Sequence, residues 1–515
     1  MRATEQAAIA SGSVTGLDLM ERAGRGVVDA VFDEWPELAA TAHRAVVLCG
    51  PGNNGGDGFV VARLLRAWGW EVAVCLYGDA AKLPSDAKVN YERWCEMGAV
   101  STNPPAKTDA DLIVDALFGT GLTRALDGAA QDWLVSVGTA RVVALDLPSG
   151  VCSDSGKVLG SGAGARADLT VTFHSLKPGH LLAAGPDRSG KVVIADIGLA
   201  GCPTPPREIA HCINGPTPGI SKFAGAHKYT HGHALILAGP ATKTGAARLA
   251  ARGALRIGAG LVTVGAPTDA LAECAAHLTA VMLTGVQDGD ALAHVLRDDR
   301  INALCLGPGL GVERAADLVA VALGHSHPGQ GNGAPEVPDQ VRDVQHTRAC
   351  VLDADALSAF GDDPASLFAM LHATCVLTPH AGEFARLFPD IAEKLNAPAI
   401  TGPAYSKVDA TRDAAKRAGC VVLFKGADTV IADPDGRCVV NSATCARAAP
   451  WLATAGSGDV LAGFITGLLA RGFGAMQAAQ AAAWLHVECA LSFGPGLIAE
   501  DVPEELPKVF RGLGL

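Results

Sequence analysis

The residues with the clearest chemical potential lie near the C-terminus, in Gly456-Ser457-Gly458-Asp459, directly before a long apolar segment. Glycines let the backbone approach a ligand closely, and the first turn of a helix offers free N–H groups to an anion. A carboxylate beside a phosphate needs a task, such as taking a proton from a hydroxyl that attacks a phosphoryl group. The alternative is that Asp459 only caps the helix N-terminus.

Two further loops follow predicted strands in this half of the chain. Lys425-Gly426-Ala427-Asp428-Thr429 adds a lysine and a threonine as phosphate donors, which favours phosphoryl chemistry over a simple helix cap. His380 follows Thr378-Pro379 at the end of another strand. Its ring either bonds to nearby backbone or touches a substrate, and the sequence leaves both readings open.

In the first half, three unusual loops also follow predicted strands: Gly50–Gly58 (GPGNNGGDG), Asp115–Arg124 (DALFGTGLTR) and Asp146–Gly150 (DLPSG). The first contains a GxGxxG pattern, but a lone match is weak evidence for a dinucleotide, and no acidic residue ends the second strand. The others offer amides, hydroxyls, a guanidinium and carboxylates. Each loop alone could be ordinary turn chemistry. Three loops at one sheet edge predict a ligand site.

An oxygen-only set of side chains, Asn54, Asp115 and Ser149, occurs in these loops. Oxygen ligands suit hard cations. Because the set carries a single negative charge, it favours a monovalent ion over magnesium or calcium.

The elements that must position these loops are short buried strands alternating with helical stretches, which indicates mainly parallel sheets covered on both faces. A breaker-rich region near residues 200–225 predicts a boundary between two α/β units. The polar stretch Gly324–Thr347, with His325, His327 and His346, reads as a surface insertion. The predicted strands are Arg44–Cys49, Glu71–Tyr77, Asp111–Ala116, Arg141–Leu145, Leu169–Phe173, Val192–Ile197, Ala234–Leu237, Leu261–Val264, Leu304–Leu306, Val351–Asp353, Val376–Thr378 and Val421–Phe424.

Composition sets outer bounds on function. A chain of 515 residues with 49% hydrophobic residues is long enough for two or three cores. The formal net charge of −12, with no basic cluster, argues against a nucleic-acid partner. The cysteines lack CxxC or zinc spacing, which favours a reducing compartment. With neither a signal-peptide pattern nor a long uncharged apolar run, we expect a cytoplasmic protein without a membrane partner.

Together these motifs resemble known families. With NNGGDG at Asn53–Gly58, Asp115…Gly119-Thr120-Gly121 and Asp146-Leu147-Pro148-Ser149-Gly150, residues 1–213 resemble the NAD(P)H-hydrate epimerases. After a linker at 214–222, residues 223–515 resemble the ribokinase-like ADP/ATP-dependent NAD(P)H-hydrate dehydratases through GPGLG at Gly307–Gly311, Asp353–Leu357, Thr378–Glu383, Lys425–Ala427 and Gly456–Asp459. Both halves in this order resemble the bifunctional nicotinamide nucleotide repair family.

The resemblance implies a fold and a reaction. The fold is α/β, with a Rossmann-like three-layer sandwich followed by a ribokinase-like α/β domain. The first half would interconvert the R and S forms of hydrated NADH or NADPH, using potassium. The second half would dehydrate the S form at the expense of ADP with Mg2+, releasing AMP and phosphate. A homo-oligomer is our default expectation.

The resemblance also implies site residues. Asp146 and Asp459 would be catalytic, and Asn54, Asp115 and Ser149 would hold potassium. The hydrate would bind Asn53, Asn54, Gly55, Gly56, Asp57, Gly119, Thr120, Gly121, Leu122, Thr123, Arg124, Ala125 and Asp146 in the first half, and Ala246, Gly309, His380 and Asp459 in the second. The nucleotide would bind Lys425, Gly426, Ala427, Asp428, Thr429 and Gly458.

Two alternatives come from other classes. The second half could be a small-metabolite kinase, in which case a phosphorylated product would accumulate. The first half could be a ligand-binding or scaffolding module. Asp57, Asp115 and Asp146 at one sheet edge speak against a scaffold, which has no use for three carboxylates there.

Overall fold

A computed structural model of the chain describes residues 2–104, 109–135, 140–162, 164–199, 210–213, 215–222, 225–325 and 348–515. The chain divides into two compact units. Unit 1 consists of Met1–Glu208 and Ala397–Lys407, and unit 2 of Ile209–Asn396 and Val408–Leu515. Among the described residues, no helix is long and apolar enough to cross a membrane.

Unit 1 contains a parallel sheet of seven described strands in the order β3-β2-β1-β4-β5-β6-β7. Its strands are β1 Arg44–Cys49, β2 Glu71–Leu76, β3 Val100–Ser101, β4 Leu112–Ala116, β5 Arg141–Leu145, β6 Leu169–Phe173 and β7 Lys191–Ala195. Its helices are α1 Arg2–Ala10, α2 Gly16–Glu34, α3 Glu37–Ala40, α4 Asn53–Ala67, α5 Ser85–Cys95, α6 Gly128–Val135 and α7 Gly185–Ser189.

Both faces of this sheet are buried, which explains why its strands are continuous apolar runs. In β1, Val47 points into the larger core with residues of α2, α4 and α5. Its neighbours Val46 and Leu48 face the other side, where they meet Trp133 of α6. The alternation makes unit 1 a three-layer sandwich, as predicted.

Unit 2 contains a sheet of ten described strands in the order β11-β10-β9-β12-β13-β14-β15-β16-β17-β8. The strands are β8 Ala210–Cys212, β9 His233–Leu237, β10 Leu261–Ala266, β11 Met282–Gly285, β12 Ile301–Leu306, β13 Ala349–Leu352, β14 Cys375–Leu377, β15 Val421–Phe424, β16 Asp428–Ala432 and β17 Cys438–Ser442. The helices are α8 Gly245–Arg256, α9 Leu271–His277, α10 Gly289–Val295, α11 Val312–Ala322, α12 Asp355–Ser358, α13 Pro364–Phe368, α14 Ala381–Leu387, α15 Pro389–Asn396, α16 Lys407–Ala418, α17 Ser457–Ala470, α18 Ala475–Phe493 and α19 Asp501–Gly512.

Helix α17 is held close to α8 by two glycines. A Cβ at Gly463 would lie 2.1 Å from the Ala250 carbonyl oxygen, and one at Gly467 would lie 2.3 Å from Ile257 Cγ2. From Val460 to Ala470 the helix is buried throughout. This packing fixes the N-terminal turn of α17, which carries Asp459.

The structure confirms the α/β fold class and overlaps every predicted strand, and it corrects three local predictions. Helix α4 begins at Asn53, so Asn53–Gly58 is helical, whereas the sequence predicts a loop that extends to Gly58. Strand β15 leads into the antiparallel strand β16, so Asp428 and Thr429 lie in a strand. Within the breaker-rich region, β8 pairs with β17. His327 and His346 lie outside the described residues.

Candidate functional site

In unit 1, the glycine pattern after β1 serves loop packing. A Cβ at Gly50 would lie 1.7 Å from the Leu117 carbonyl oxygen, and one at Gly55 would lie 2.0 Å from the Gly50 carbonyl oxygen. Real Cβ atoms do not approach that closely, so both positions require glycine. The GxGxxG match is therefore explained without a dinucleotide. The same packing brings the start of α4 against the loop after β4.

Asp115 is a fully buried carboxylate near the end of β4. Its Oδ1 accepts hydrogen bonds from Ser149 Oγ (2.6 Å) and Leu117 N (3.2 Å), and its Oδ2 accepts from Ser149 N (2.8 Å). Ser149 Oγ in turn accepts from Phe118 N at 2.9 Å. Burial raises the pKa of Asp115, although these hydrogen bonds act to lower it. Within the described parts of the chain, Asp115 has no salt bridge, so its charge lacks a protein cation.

Asp146 follows β5 and has a left-handed backbone, with φ +65°. Its Oδ2 accepts from Thr120 N at 2.8 Å, and its Oδ1 accepts from Thr172 Oγ1 at 3.1 Å and pairs with Lys177 Nζ at 2.7 Å. Burial alone would raise the pKa of Asp146, but the Lys177 ammonium and the Thr120 amide lower it to about 2. Asp146 is therefore ionised at neutral pH.

Asn54 and Asp146 lie on either side of Gly119, and Asp57 interacts electrostatically with Asp146. A Cβ at Gly119 would lie 2.8 Å from Asp146 Oδ2 and 3.0 Å from Asn54 Oδ1, so the glycine leaves a small space between two polar groups. Asn54 Nδ2 is buried and lacks a hydrogen-bond partner among the described residues. Burial and the charges of Asp146 and Glu5 raise the pKa of Asp57 well above its usual range. The pKa values of Asp57 and Asp146 are therefore shifted in opposite directions.

Only part of segment 119–125, which the sequence predicts to bind the hydrate, lies beside the space between Asn54 and Asp146. The Leu122 side chain is buried in an apolar cluster with Leu126, Cys152, Leu159 and Ala404, whereas Arg124 is exposed. Unit 1's second stretch, Ala397–Lys407, lies along the same segment, since Gly402 N donates to the Thr123 carbonyl at 2.9 Å. Gly119 and Thr120 therefore contact Asp146, and Leu122 packs away from it.

In unit 2, Asp459 lies in the first turn of α17, after Gly456, which has a left-handed φ of +90°. Burial and the nearby charge of Asp353 raise the pKa of Asp459 to about 7, although Lys425 acts to lower it. A carboxylate that titrates near neutral pH is suited to general-base catalysis.

Lys425 is shared between two carboxylates. Its Nζ pairs with Asp353 Oδ1 at 2.7 Å and lies 3.9 Å from Glu383 Oε2. Asp353 Oδ1 also accepts from Thr378 Oγ1 at 2.9 Å. A Cβ at Gly458 would lie 3.6 Å from Lys425 Nζ, so the structure brings the predicted Lys425 and Gly458 together.

His380 caps α14. Its Nδ1 accepts from Gly382 N at 2.9 Å, which places its proton on Nε2, 3.3 Å from Glu383 Oε1. The side chain is 56% exposed, so the ring keeps an open face despite its backbone bond. The two readings of His380 that the sequence leaves open are therefore compatible.

The remaining predicted residues of unit 2 fall in two groups. Gly309 and Ala246 are neighbours, because a Cβ at Gly309 would lie 3.8 Å from Ala246 Cβ. Thr429 Oγ1 donates to the Gly426 carbonyl at 2.7 Å, so its hydroxyl proton closes the turn between β15 and β16. That bond leaves the Thr429 hydroxyl as an acceptor only.

Sequence reasoning missed several site residues. In unit 1 they are Thr172, Lys177 and His180, which surround Asp146. In unit 2 they are Asp353 and Glu383, which contact Lys425. The sequence did contain a signal for the unit 1 residues. Lys177 and His180 come shortly after strand β6, in the same position relative to a strand as the loops that were predicted to bind ligand.

Comparison with known proteins identifies the class. Residues 16–179 match the family described as YjeF-related protein N-terminus, and residues 234–496 match the family described as NAD(P)H-hydrate dehydratase. The bifunctional NAD(P)H-hydrate repair enzyme of Salinibacter ruber is 35% identical, covering 99% of this chain and 94% of that protein. The chain belongs to the bifunctional NAD(P)H-hydrate repair enzyme family.

Two further relatives each match one half. The NAD(P)H-hydrate epimerase of Rhodobacter capsulatus is 50% identical over 186 residues, covering 35% of this chain and 88% of that protein. A solved structure of the ADP/ATP-dependent NAD(P)H-hydrate dehydratase from Bacillus subtilis, co-crystallised with ATP/Mg2+, is 26% identical. It covers 57% of this chain and 93% of its own, with a TM-score of 0.43.

Proposed function

We propose that the protein repairs hydrated NADH and NADPH in two steps. Unit 1 interconverts the R and S forms, and unit 2 dehydrates the S form with a nucleotide. The observation that carries the proposal is that the two carboxylates proposed as catalytic, Asp146 and Asp459, are both desolvated but have pKa values shifted in opposite directions. The pKa of Asp146 is lowered to about 2, whereas that of Asp459 is raised to about 7.

The carboxyls of unit 1 suit epimerisation. The reacting carbon carries a hydroxyl and the ring nitrogen, so loss of the hydroxyl as water leaves a planar, positively charged iminium. Asp57, whose pKa burial raises well above its usual range, is the proposed donor of the proton that the leaving hydroxyl needs. Ionised Asp146 stabilises the cation. Water then adds to either face and returns a proton to Asp57, which completes the interconversion.

We assign a potassium ion to Asn54, Asp115 and Ser149, of which Asp115 and Ser149 are in direct contact. Asp115 is buried, and its hydrogen-bond partners are neutral. The buried Nδ2 of Asn54 has no hydrogen-bond partner among the described residues. If the side-chain amide were rotated by about 180°, its oxygen would take that position and could bind the ion. The ion would supply the positive charge that offsets buried Asp115. It would also fix the loop that carries Gly119 and Thr120.

In unit 2, Asp459 would take the proton of the C6 hydroxyl, whose oxygen attacks the terminal phosphoryl group of ADP. AMP leaves, and the hydrate then carries a phosphate ester. Phosphate leaves with the C6 oxygen and a ring proton is lost, which yields NADH or NADPH. A phosphate is a far better leaving group than hydroxide, which is why a phosphoanhydride is consumed. Mg2+ enters as the counter-ion of the nucleotide.

We assign the hydrate and nucleotide to the residues that the sequence predicts. Lys425 and Gly458 are adjacent, which supports a nucleotide phosphate there. Gly309 and Ala246 are adjacent as well, which supports one hydrate-binding surface. We also keep a cytoplasmic location and a homo-oligomer as proposals. We propose residues 214–222 as the junction between the sequences of the two families, although Ala397–Lys407 folds with unit 1.

One experiment tests the two-step function. An epimeric mixture of NADH hydrate is incubated with protein, ADP, magnesium and potassium, and the reduced-nicotinamide absorbance is followed. Wild type should recover the whole mixture, and Asp146→Ala should recover only the S fraction. If Asp146→Ala also recovers the R fraction at the wild-type rate, the proposed site in unit 1 is wrong. If a phosphorylated hydrate accumulates without NADH, unit 2 is a kinase.

A further inference from the structure

Lys177 is the most completely bonded charged group near Asp146. Its Nζ contacts Asp146 Oδ1 (2.7 Å), Thr172 Oγ1 (2.7 Å) and the Phe173 carbonyl (3.1 Å). An ammonium has three N–H donors, and here each has one acceptor. Because Lys177 is 6% exposed and its donors are all used, it has none to offer a substrate.

The same short segment holds Asp146 from its backbone side. Lys177 N donates to His180 Nδ1 at 3.0 Å, so the ring proton must be on Nε2. That Nε2 donates to the Asp146 carbonyl at 2.7 Å. Burial lowers the pKa of His180 to about 4, in keeping with a neutral ring. Residues 177–180 therefore bind both the side-chain carboxylate and the backbone carbonyl of Asp146.

The left-handed backbone of Asp146 explains why these contacts from residues 177–180 are needed. Few residues other than glycine adopt a positive φ, and a strained backbone persists only when its surroundings over-determine it. Among the described residues, Oδ1 is bonded by Lys177 and Thr172, whereas Oδ2 is bonded by Thr120 N alone. Oδ2 thus keeps a lone pair on the side of Gly119, where the substrate is proposed to bind.

We propose that Lys177 is a positioning residue for epimerisation: it holds Oδ1 of Asp146 and thereby leaves the free lone pair of Oδ2 directed toward the substrate. This inference rests on the proposed role of Asp146 in unit 1. The titratable groups that face Asp146 are Lys177 and His180 after β6 and Asp57 on α4. Lys177 is the closest cation among them, so its removal leaves mainly the hydrogen bonds from Thr120 N and Thr172 Oγ1 to oppose the burial of Asp146.

The test is the pH dependence of epimerisation in Lys177→Met and Lys177→Arg. The conversion of purified R form to S form is followed by chromatography, and kcat and KM are separated. In Lys177→Met, kcat should fall about 100-fold at pH 7, the size of a lost charged catalytic group. The fall should be steeper at lower pH, because the carboxyl then titrates within the measured range. Lys177→Arg should restore the wild-type pH profile at a reduced rate.

Three comparisons separate this inference from a folding defect and from failure of the proposed site. Lys191→Met removes an exposed lysine paired with Glu34 and should leave epimerisation unchanged. Thermal unfolding of each variant reports folding. The double variant Asp146→Ala, Lys177→Met should be no slower than Asp146→Ala, because Lys177 acts through Asp146.

Distinct outcomes overturn distinct claims. If Asp146→Ala abolishes epimerisation while Lys177→Met keeps the wild-type rate and pH profile, the inference on Lys177 is wrong and the site stands. If Lys177→Met does not fold, Lys177→Arg is the deciding variant. A loss of activity in Lys177→Arg that is independent of pH and changes only KM would contradict the proposal. If Asp146→Ala epimerises normally, the proposed function of unit 1 fails first.

Discussion

The two candidate sites each contain a lysine and a desolvated carboxylate, but the lysines make different ion pairs. In unit 1, Lys177 pairs directly with Asp146, and the pKa of that carboxyl is about 2. In unit 2, Lys425 pairs instead with Asp353, and the nearby Asp459 has a pKa of about 7. Desolvation acts on both carboxylates, so the choice of ion-pair partner decides which one titrates near neutrality.

The difference matches the two proposed chemistries. A site that stabilises a cation needs a fixed negative charge, which a direct ion pair provides over the whole physiological pH range. A site that removes a proton needs a base whose pKa lies near the working pH. A lysine close to a carboxylate therefore does not by itself reveal which role the carboxylate has.

The largest effect should come from removing the base of unit 2. Asp459→Asn cannot accept a proton, so dehydration of the S form should fall about 10³-fold or more, as for other lost general bases. Recovery of reduced-nicotinamide absorbance with ADP measures it. Epimerisation in the same sample should be unchanged and serves as the control. Dehydration within tenfold of wild type would show that Asp459 is not the base.

A smaller effect should follow from making unit 2 resemble unit 1. In Asp353→Asn, one cause of the raised pKa of Asp459 is lost and Lys425 is released toward it. The pKa of Asp459 should fall by about one unit. Since the base works when ionised, kcat/KM of wild type should decline below pH 7, and the variant should hold its plateau to lower pH.

The control for this pH profile is Asp390→Asn, which removes a surface carboxylate paired with Arg417. It should leave the wild-type profile in place. A profile for Asp353→Asn that shifts to higher pH would contradict the role assigned to the Asp353–Lys425 pair.

The smallest effect should appear at the proposed potassium site. Ser149→Ala removes one oxygen ligand and one bond to Asp115, so half-maximal epimerisation should need about tenfold more potassium. Titration of potassium into a sodium buffer measures it. Ser153→Ala, which removes a surface hydroxyl bonded to Asp154, is the matched control. Equal potassium requirements in wild type and Ser149→Ala would remove Ser149 from the proposed site.

Much of the fold is predictable because buried parallel strands are short apolar runs, such as Val421–Phe424. The sites follow from the rule that ligands bind at the carboxyl ends of such strands. The start of α4 was not predictable from propensity. Its glycines disfavour a helix, but Gly50 and Gly55 are required by the packing of the two loops.

The charged partners of the catalytic carboxylates were harder to predict. Lys177 meets Asp146 only because β5 and β6 are adjacent in the sheet. Asp353 meets Lys425 across β13, β14 and β15, whose order the sequence does not state. Propensity and motif spacing report on neighbours along the chain, whereas these pairs depend on strand order.

Unit 1 is built from two separate stretches of chain, and this has a consequence for protein engineering. A fragment that stops at residue 213 lacks Ala397–Lys407 and with it Ala404, which belongs to the apolar cluster around Leu122. It also loses the donor that Gly402 gives to Thr123. Splitting the protein with one cut therefore does not yield a whole unit 1. A fragment that contains all of unit 1 would need Ala397–Lys407 joined to residues 1–208.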